Sequence, residues 1–97
     1  MRLLELAPAD WRSHTLRGRV LLHAGQTREA WPRLLRGAEL APTRVRSLLP
    51  VVTVGADLGE WEAVRDHAQR CLALDLSEAE AALVRERLRA ANARLGQ

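Results

Sequence analysis

Apolar residues recur along most of the chain at spacings of three and four positions, the period of a helix with one buried face. The stripe is clearest near the end of the chain, where it comprises Ala81, Val84, Leu88, Ala91 and Leu95. The composition agrees, since Ala, Leu, Arg and Glu are abundant and Phe, Tyr and Ile are absent. The sequence therefore predicts an all-α protein.

Capping and stop signals divide this pattern into helices. The candidate N-caps are Asp10, Thr27, Thr43 and Ser77. Ser77 and Glu80 have the spacing of a capping box, and Gly25 and Gly59 are candidate stops. The predicted helices are 11–24, 28–40, 44–58, 60–74 and 77–95. Residues 2–7 have the pattern expected for the last turns of another helix.

Two prolines, Pro32 and Pro50, fall inside the second and third predicted helices. An interior proline removes a hydrogen bond and clashes with the preceding turn, at a cost of about 3 kcal/mol. These helices therefore either begin later than the caps indicate or bend at the prolines. We expect bends, because the apolar pattern continues through both positions.

The chain repeats itself with a period of 34 residues. Gly25-Gln26-Thr27 returns as Gly59-Glu60-Trp61, and the segment 38–41 returns as 72–75. The same register reaches back to residues 4–8, which align with 38–42. A period of this length with two helices per unit is typical of a helical solenoid, whose units bury their apolar faces on one another.

The repeat resembles the tetratricopeptide repeat, a helix-turn-helix unit of 34 residues. The matching positions of the first unit are Gly18, Leu21, Gly25, Ala30, Leu34, Gly37 and Pro42. In the second unit Gly59, Trp61 and Cys71 match, and the departures are Val52, Gly55, Ala68 and Leu76. The resemblance implies antiparallel helix-turn-helix repeats that form a short right-handed superhelical solenoid with a C-terminal capping helix.

The predicted organisation is a single domain over residues 1–97. Its parts are the tail of a preceding repeat (1–9), repeat 1 (11–44), repeat 2 (45–76) and the capping helix (77–97). We expect the outer face of the capping helix to be polar. If the chain starts at Met1, the first helix lacks a complete neighbour and should expose Leu, Val and Trp side chains, which would favour a dimer or larger homo-oligomer.

Charge is uneven along the chain although the net value is only +3. Residues 1–49 carry nine arginines and four acids, whereas residues 50–97 carry six arginines and eight acids. The pI of about 10.9 reflects the absence of Lys and Tyr rather than a large charge. The opposite signs of the two halves can steer an acidic partner to the first half or favour head-to-tail self-association. The Arg-only usage also indicates a GC-rich bacterial genome.

The sequence offers little catalytic chemistry. His67 and Cys71 lie one helical turn apart, but a third member of a catalytic or zinc set is lacking. We expect Cys71 to be a buried packing residue, His67 to be exposed or half-buried, and Trp11 and Trp31 to be structural. We therefore predict no enzymatic activity, no cofactor and no metal.

A single cysteine is compatible with a reducing compartment, and the sequence lacks a signal peptide or membrane span. We therefore expect a soluble cytoplasmic protein with no membrane association.

The resemblance implies a binding surface on the inner face, formed by one side of each unit's first helix. Carried over position by position, it comprises Arg12, Thr15, Arg19, Leu22, His23, Arg46, Leu49, Thr53, Ala56 and Asp57. Its arginines could grip carboxylates through paired hydrogen bonds, although a simply solvated face is the alternative. Family members that clamp a C-terminal carboxylate use Lys and Asn where this chain has Thr15 and Arg19, so that activity is not implied here.

Three functions remain open at this stage. The first is a non-enzymatic interaction module that binds an acidic peptide or protein partner on the inner face. The second is a self-assembling scaffold whose exposed end pairs with another copy. The third, and least favoured, is nucleic-acid binding, because the basic residues lack interleaved aromatic side chains.

Overall fold

Five helices and no strand make up residues 10–96, the part of the chain that the computed structural model describes. The helices are α1 (Trp11–His23), α2 (Thr27–Leu40), α3 (Val45–Leu58), α4 (Trp61–Leu72) and α5 (Glu78–Arg94). The all-α prediction is confirmed, and the predicted helix bounds are correct to within two residues. The predicted tail of a preceding repeat, residues 1–9, lies outside the described residues.

Each helix packs on the next one along the chain. The pairs α1–α2, α3–α4 and α4–α5 make the most extensive contacts, and α2 joins the two hairpins by packing on α3. Smaller contacts link α3 to α5 and α1 to α3. The resulting molecule is elongated, with principal extents of 48 × 28 × 20 Å.

The start and stop signals explain most helix ends. The Asp10 carboxylate accepts a hydrogen bond of 3.0 Å from the backbone N–H of Arg12, and Ser77 and Glu80 form the predicted capping box. Gly25 and Gly59 end α1 and α3 with φ values of 78° and 76°, in the left-handed region that glycine adopts without strain.

Two predicted N-caps are wrong. Thr27 is the first residue of α2 rather than its cap, and Arg44 instead of Thr43 precedes α3; neither helix has a side-chain cap. The turn before α3 is held differently, because the Ser47 hydroxyl donates to the carbonyl oxygens of Ala41 and Arg44. Both α2 and α3 run through their interior prolines, so neither proline delays the start of its helix.

The hydrophobic core is centred on α3. Buried apolar side chains come from α2, α3, α4 and α5. The largest fully buried ones are Leu34, Leu48, Val51, Val52, Val64 and Val84. In contrast, α1 buries only Thr15 and Gly18, so it packs on the rest of the molecule through one narrow face.

Glycines set the closest approach between helices. A Cβ atom at Gly18 in α1 would lie 2.6 Å from Leu34 Cδ2 in α2. In the second hairpin a Cβ at Gly55 would lie 2.8 Å from Val64 Cγ2 and 3.0 Å from the Trp31 ring. Absence of a side chain at these positions lets large neighbours fill the space between backbones.

Candidate partner-binding groove

A groove of about 1030 Å³ lies between α1 and α3. Its α1 lining consists of Trp11, Arg12, Thr15, Leu16, Arg19 and Leu22. Its α3 lining consists of Arg44, Val45, Arg46, Leu49, Pro50, Thr53 and Val54. The two helices touch only lightly, which leaves this space open between them.

The charged residues of the groove are all cationic. They are Arg12, Arg19, Arg44 and Arg46, and each side chain is exposed. None of them pairs with a carboxylate within residues 10–96. Some arginines outside the groove are paired, as where Arg28 meets Glu60 at 2.9 Å. The groove therefore combines positive charge with donors that are available to a ligand.

The rest of the groove is largely apolar. The apolar lining residues are Trp11, Leu16, Leu22, Val45, Leu49, Pro50 and Val54. At one end the Arg12 guanidinium lies 5.6 Å from the centroid of the Trp11 ring, a cation–π arrangement. A ligand that fits this lining needs both carboxylates and apolar side chains.

Packing between α1 and α2 fixes the α1 side of the groove. Thr15 is buried, and its Oγ1 lies against Gly37, where an added Cβ would clash with it. This hydroxyl has no hydrogen-bond partner among the described residues. Thr15 therefore contributes mainly to the contact between the helices, while Arg12 and Arg19 project from the adjacent, exposed side of α1.

Hydrogen bonds within α3 fix the opposite side. Pro50 has no N–H to donate to the carbonyl of Arg46, one turn earlier. The Thr53 hydroxyl lies 3.3 Å from the Leu49 carbonyl oxygen and 3.2 Å from that of Pro50, so it is engaged by its own helix. Thr53 therefore lines the groove, but its hydroxyl proton is already engaged within α3.

The structure brings together seven of the ten residues predicted for the inner face, and Ala56, His23 and Asp57 do not line the groove. The seven that line it are Arg12, Thr15, Arg19, Leu22, Arg46, Leu49 and Thr53. His23 and Asp57 lie near the ends of α1 and α3 and are exposed. Six lining residues lie outside the predicted set, namely Trp11, Leu16, Arg44, Val45, Pro50 and Val54; their proximity in sequence to the predicted positions was the available signal.

The candidate thiol–imidazole pair, Cys71 and His67, lies in a buried environment. Cys71 is fully buried, and burial together with the nearby Glu80 charge raises the pKa of its thiol to about 11. The thiolate that a nucleophile needs is therefore disfavoured at neutral pH. His67 Nδ1 donates to the Ala63 carbonyl oxygen at 2.7 Å. His67 is only 8% exposed, so the prediction of an exposed or half-buried ring is wrong.

The three tryptophans occupy different environments. Trp31 is buried against Gly55, which confirms its predicted structural role. Trp61 is half-buried, with the Arg94 guanidinium 5.1 Å from its ring centroid. Trp11 is half-buried and lines the groove.

Comparisons of the chain with protein-family models, curated proteins and solved structures find no match. Within residues 10–96, no cluster of three or more His, Cys, Asp or Glu side chains could hold a metal ion. The same residues contain no helix with the length and apolar character needed to cross a membrane.

Proposed function

We propose that this chain is a short tetratricopeptide-like solenoid that binds an acidic peptide segment of a partner protein in the groove between α1 and α3. In this proposal the chain acts by binding and has no catalytic role. We place it in a reducing, cytoplasmic compartment, in keeping with its single, buried cysteine.

The packing order supports the solenoid. Contacts between consecutive helices, with smaller contacts between α1 and α3 and between α3 and α5, are those expected when hairpins stack in sequence. Gly18 packs closely against Leu34, and both residues are positions at which the sequence matches the repeat. In a right-handed superhelix of this kind, α5 would close the stack as the capping helix.

The observation that carries the binding proposal is the set of four groove arginines without a described carboxylate partner. Guanidinium groups bind carboxylates through two parallel hydrogen bonds, and Arg12, Arg19 and Arg46 offer such donors from both sides of the groove. Apolar side chains of the same peptide can bury themselves on Trp11, Leu22 and Leu49. The combination selects acidic segments that also contain apolar residues.

A nuclear magnetic resonance titration tests this proposal. The probe is a short blocked peptide of Leu, Glu and Asp, too short to form a stable helix. We expect saturable shifts of the Trp11 indole N–H and the Leu49 amide. The indole signals of Trp31 and Trp61 serve as internal controls, since neither ring lines the groove.

Charge reversal provides the matched comparison. Arg19→Glu should weaken binding about tenfold or more, because it replaces a favourable ion pair with repulsion. Arg33→Glu changes net charge equally at an exposed position outside the groove and should leave the affinity within about threefold. Equal weakening by both variants, or shifts that do not saturate, would count against a specific groove.

Self-assembly is the second candidate, because Leu16 and Val20 are exposed on α1. Light scattering across a concentration series tests it: a constant monomer mass would exclude it, and a mass that rises with concentration would support it. Nucleic-acid binding is the third candidate. It predicts retention of a single-stranded oligonucleotide with a steep salt dependence, and no retention at low salt would exclude it.

A further inference from the structure

The outer face of α1 is open where the corresponding face of α3 is covered. Val20 and Val54 hold the same register position, 34 residues apart, yet Val20 is 59% exposed and Val54 only 6%. Leu16 is 60% exposed, whereas its counterpart Pro50 is half-buried. Leu16 and Val20 are one helical turn apart, so they form a continuous apolar strip.

Positive charges border this strip on both sides. Arg12 and Arg19 lie on its groove side, and Arg17 lies on the opposite side. Between Trp11 and His23 the helix contains no acidic residue. Within residues 10–96, Arg17 has no carboxylate at ion-pair distance.

Arg17 also shows that a helix covering the strip cannot pack on it in the way that α2 packs on α3. Its counterpart in α3 is Val51, which is fully buried. A guanidinium at the centre of a permanently buried face would need a charged partner, because the cost of burying an unpaired charge is large. A covering helix must therefore bring a carboxylate to this position.

We propose that the Leu16–Val20 strip is the docking site for an acidic amphipathic helix of a separate partner protein. The apolar stripe of that helix packs on Leu16 and Val20, and carboxylates on its two flanks meet Arg17 on one side and Arg12 or Arg19 on the other. The strip borders the groove and shares Leu16 with it, but the occupant lies on the outside of α1.

Charge argues against a second copy of the chain as the occupant. Two α1 helices packed face to face would bring their arginines together without an acidic residue to offset them. The exposed side of α5, at the far end of the stack, carries Glu78 and Glu86 but also Arg85 and Arg89, so its charges cancel. Neither surface has the net negative charge that would offset Arg12, Arg17 and Arg19 together.

The test uses the full chain and a designed peptide of about 18 residues, long enough to form a helix, with a leucine stripe flanked by glutamates on both sides. A peptide with the same residues reordered, so that no stripe forms, is the matched control. We expect saturable shifts of the methyl signals of Leu16 and Val20 with the striped peptide and none with the control.

Two variants on the strip sharpen the test. Val20→Glu and Arg17→Glu should each weaken the complex about tenfold or more, and both positions are exposed, so the fold should persist. A peptide with lysine on the flank that faces Arg17→Glu should restore binding. Arg46→Glu, on the far side of the groove, should leave this complex unchanged even though it weakens binding of the short groove peptide.

Four results would overturn the inference. They are shifts confined to the Trp11 indole and Leu49 amide; no saturable shift at either methyl; a concentration-dependent dimer that Val20→Glu dissociates; and binding that appears only after residues 1–9 are deleted, which would make those residues the occupant. Loss of groove binding with intact shifts at Val20 would refute the proposed function and leave this inference standing.

Discussion

The two hairpins of the molecule, α1–α2 and α3–α4, share one sequence register but differ in how deeply their first helices are buried. In α3 six residues are buried, whereas α1 buries only two. The difference follows from neighbours: α3 is packed by α2 and α4, and α1 is packed mainly by α2. The same position in a repeat is therefore core or surface according to what covers it.

The hairpins also differ in which helix carries the large residue at a contact. Gly18 faces Leu34 in the first hairpin, and the corresponding positions in the second are Val52 and Ala68. Likewise Gly55 faces Val64, whereas the first hairpin has Leu21 and Ala30 at those positions. In each case the larger side chain of the contact comes from the opposite helix of the hairpin. The total side-chain volume between the two helices is therefore similar, so different residues can support a similar distance between the helices.

The largest effect is expected from exchanging one of these pairs. Leu34→Ala should lower the free energy of unfolding by about 3 kcal/mol, because it leaves a cavity opposite Gly18. Adding Gly18→Val builds the Val–Ala pair of the second hairpin and should recover more than half of that loss. Gly18→Val alone should destabilise, since its Cβ would clash with Leu34. Urea denaturation of the parent, the two single variants and the double variant measures the coupling free energy between positions 18 and 34. If the losses of the two single variants simply add in the double variant, the exchange is contradicted.

The next largest effect is expected from shortening Val54, in comparison with Val20 at the same position of the repeat. Val54→Ala should cost about 2 kcal/mol, because it removes two buried methyl groups. Val20→Ala should change stability by no more than about 0.5 kcal/mol, since Val20 is exposed. Thermal unfolding in parallel checks both values. Equal losses would mean that α1 is covered in solution as α3 is.

The smallest effect is a dependence on alkaline pH that belongs to the second hairpin alone. Cys71 occupies the position of Gly37, and the folded structure raises the pKa of its thiol from 9.0 to about 11. Well below pH 9 the thiol is protonated in both the folded and the unfolded chain, so the free energy of unfolding does not depend on its titration. Between pH 9 and 11 the unfolded chain releases the proton more readily, so stability should fall as pH rises, by roughly 1 kcal/mol at pH 10.

The composition lets this pH dependence be assigned to one side chain. The chain contains no Lys or Tyr, so no other side chain has an ordinary pKa between 9 and 11. Cys71→Ala should unfold more easily than the parent at pH 8 but show a flat profile from pH 8.5 to about 10.5. A slope that survives in Cys71→Ala would assign the effect to another group.

Much of the helix pattern could be predicted, because local signals determine it. Asp10, Ser77 and the two turn glycines act through backbone groups close by in sequence, so their roles are readable without the fold. The failure at Thr43 has a less local cause. At the turn before α3, the Ser47 hydroxyl reaches back six residues to Ala41, which a short capping pattern does not include.

The groove was only partly predictable for a similar reason. Most of the positions transferred from the repeat line the groove. The resemblance did not indicate where the groove ends, so His23 and Asp57 were included and Arg44 was left out. The open strip on α1 also needs the fold, because Val20 and Val54 are the same residue in the same register.

Packing of each helix on its neighbour in sequence has a consequence for how the chain reaches its structure. Contacts close short loops, so little chain entropy is lost before packing begins to compensate. Chains with such local contacts fold in about microseconds to milliseconds. We expect α1, which buries only two residues, to be the first helix to open, and the α3–α4 hairpin to be among the last.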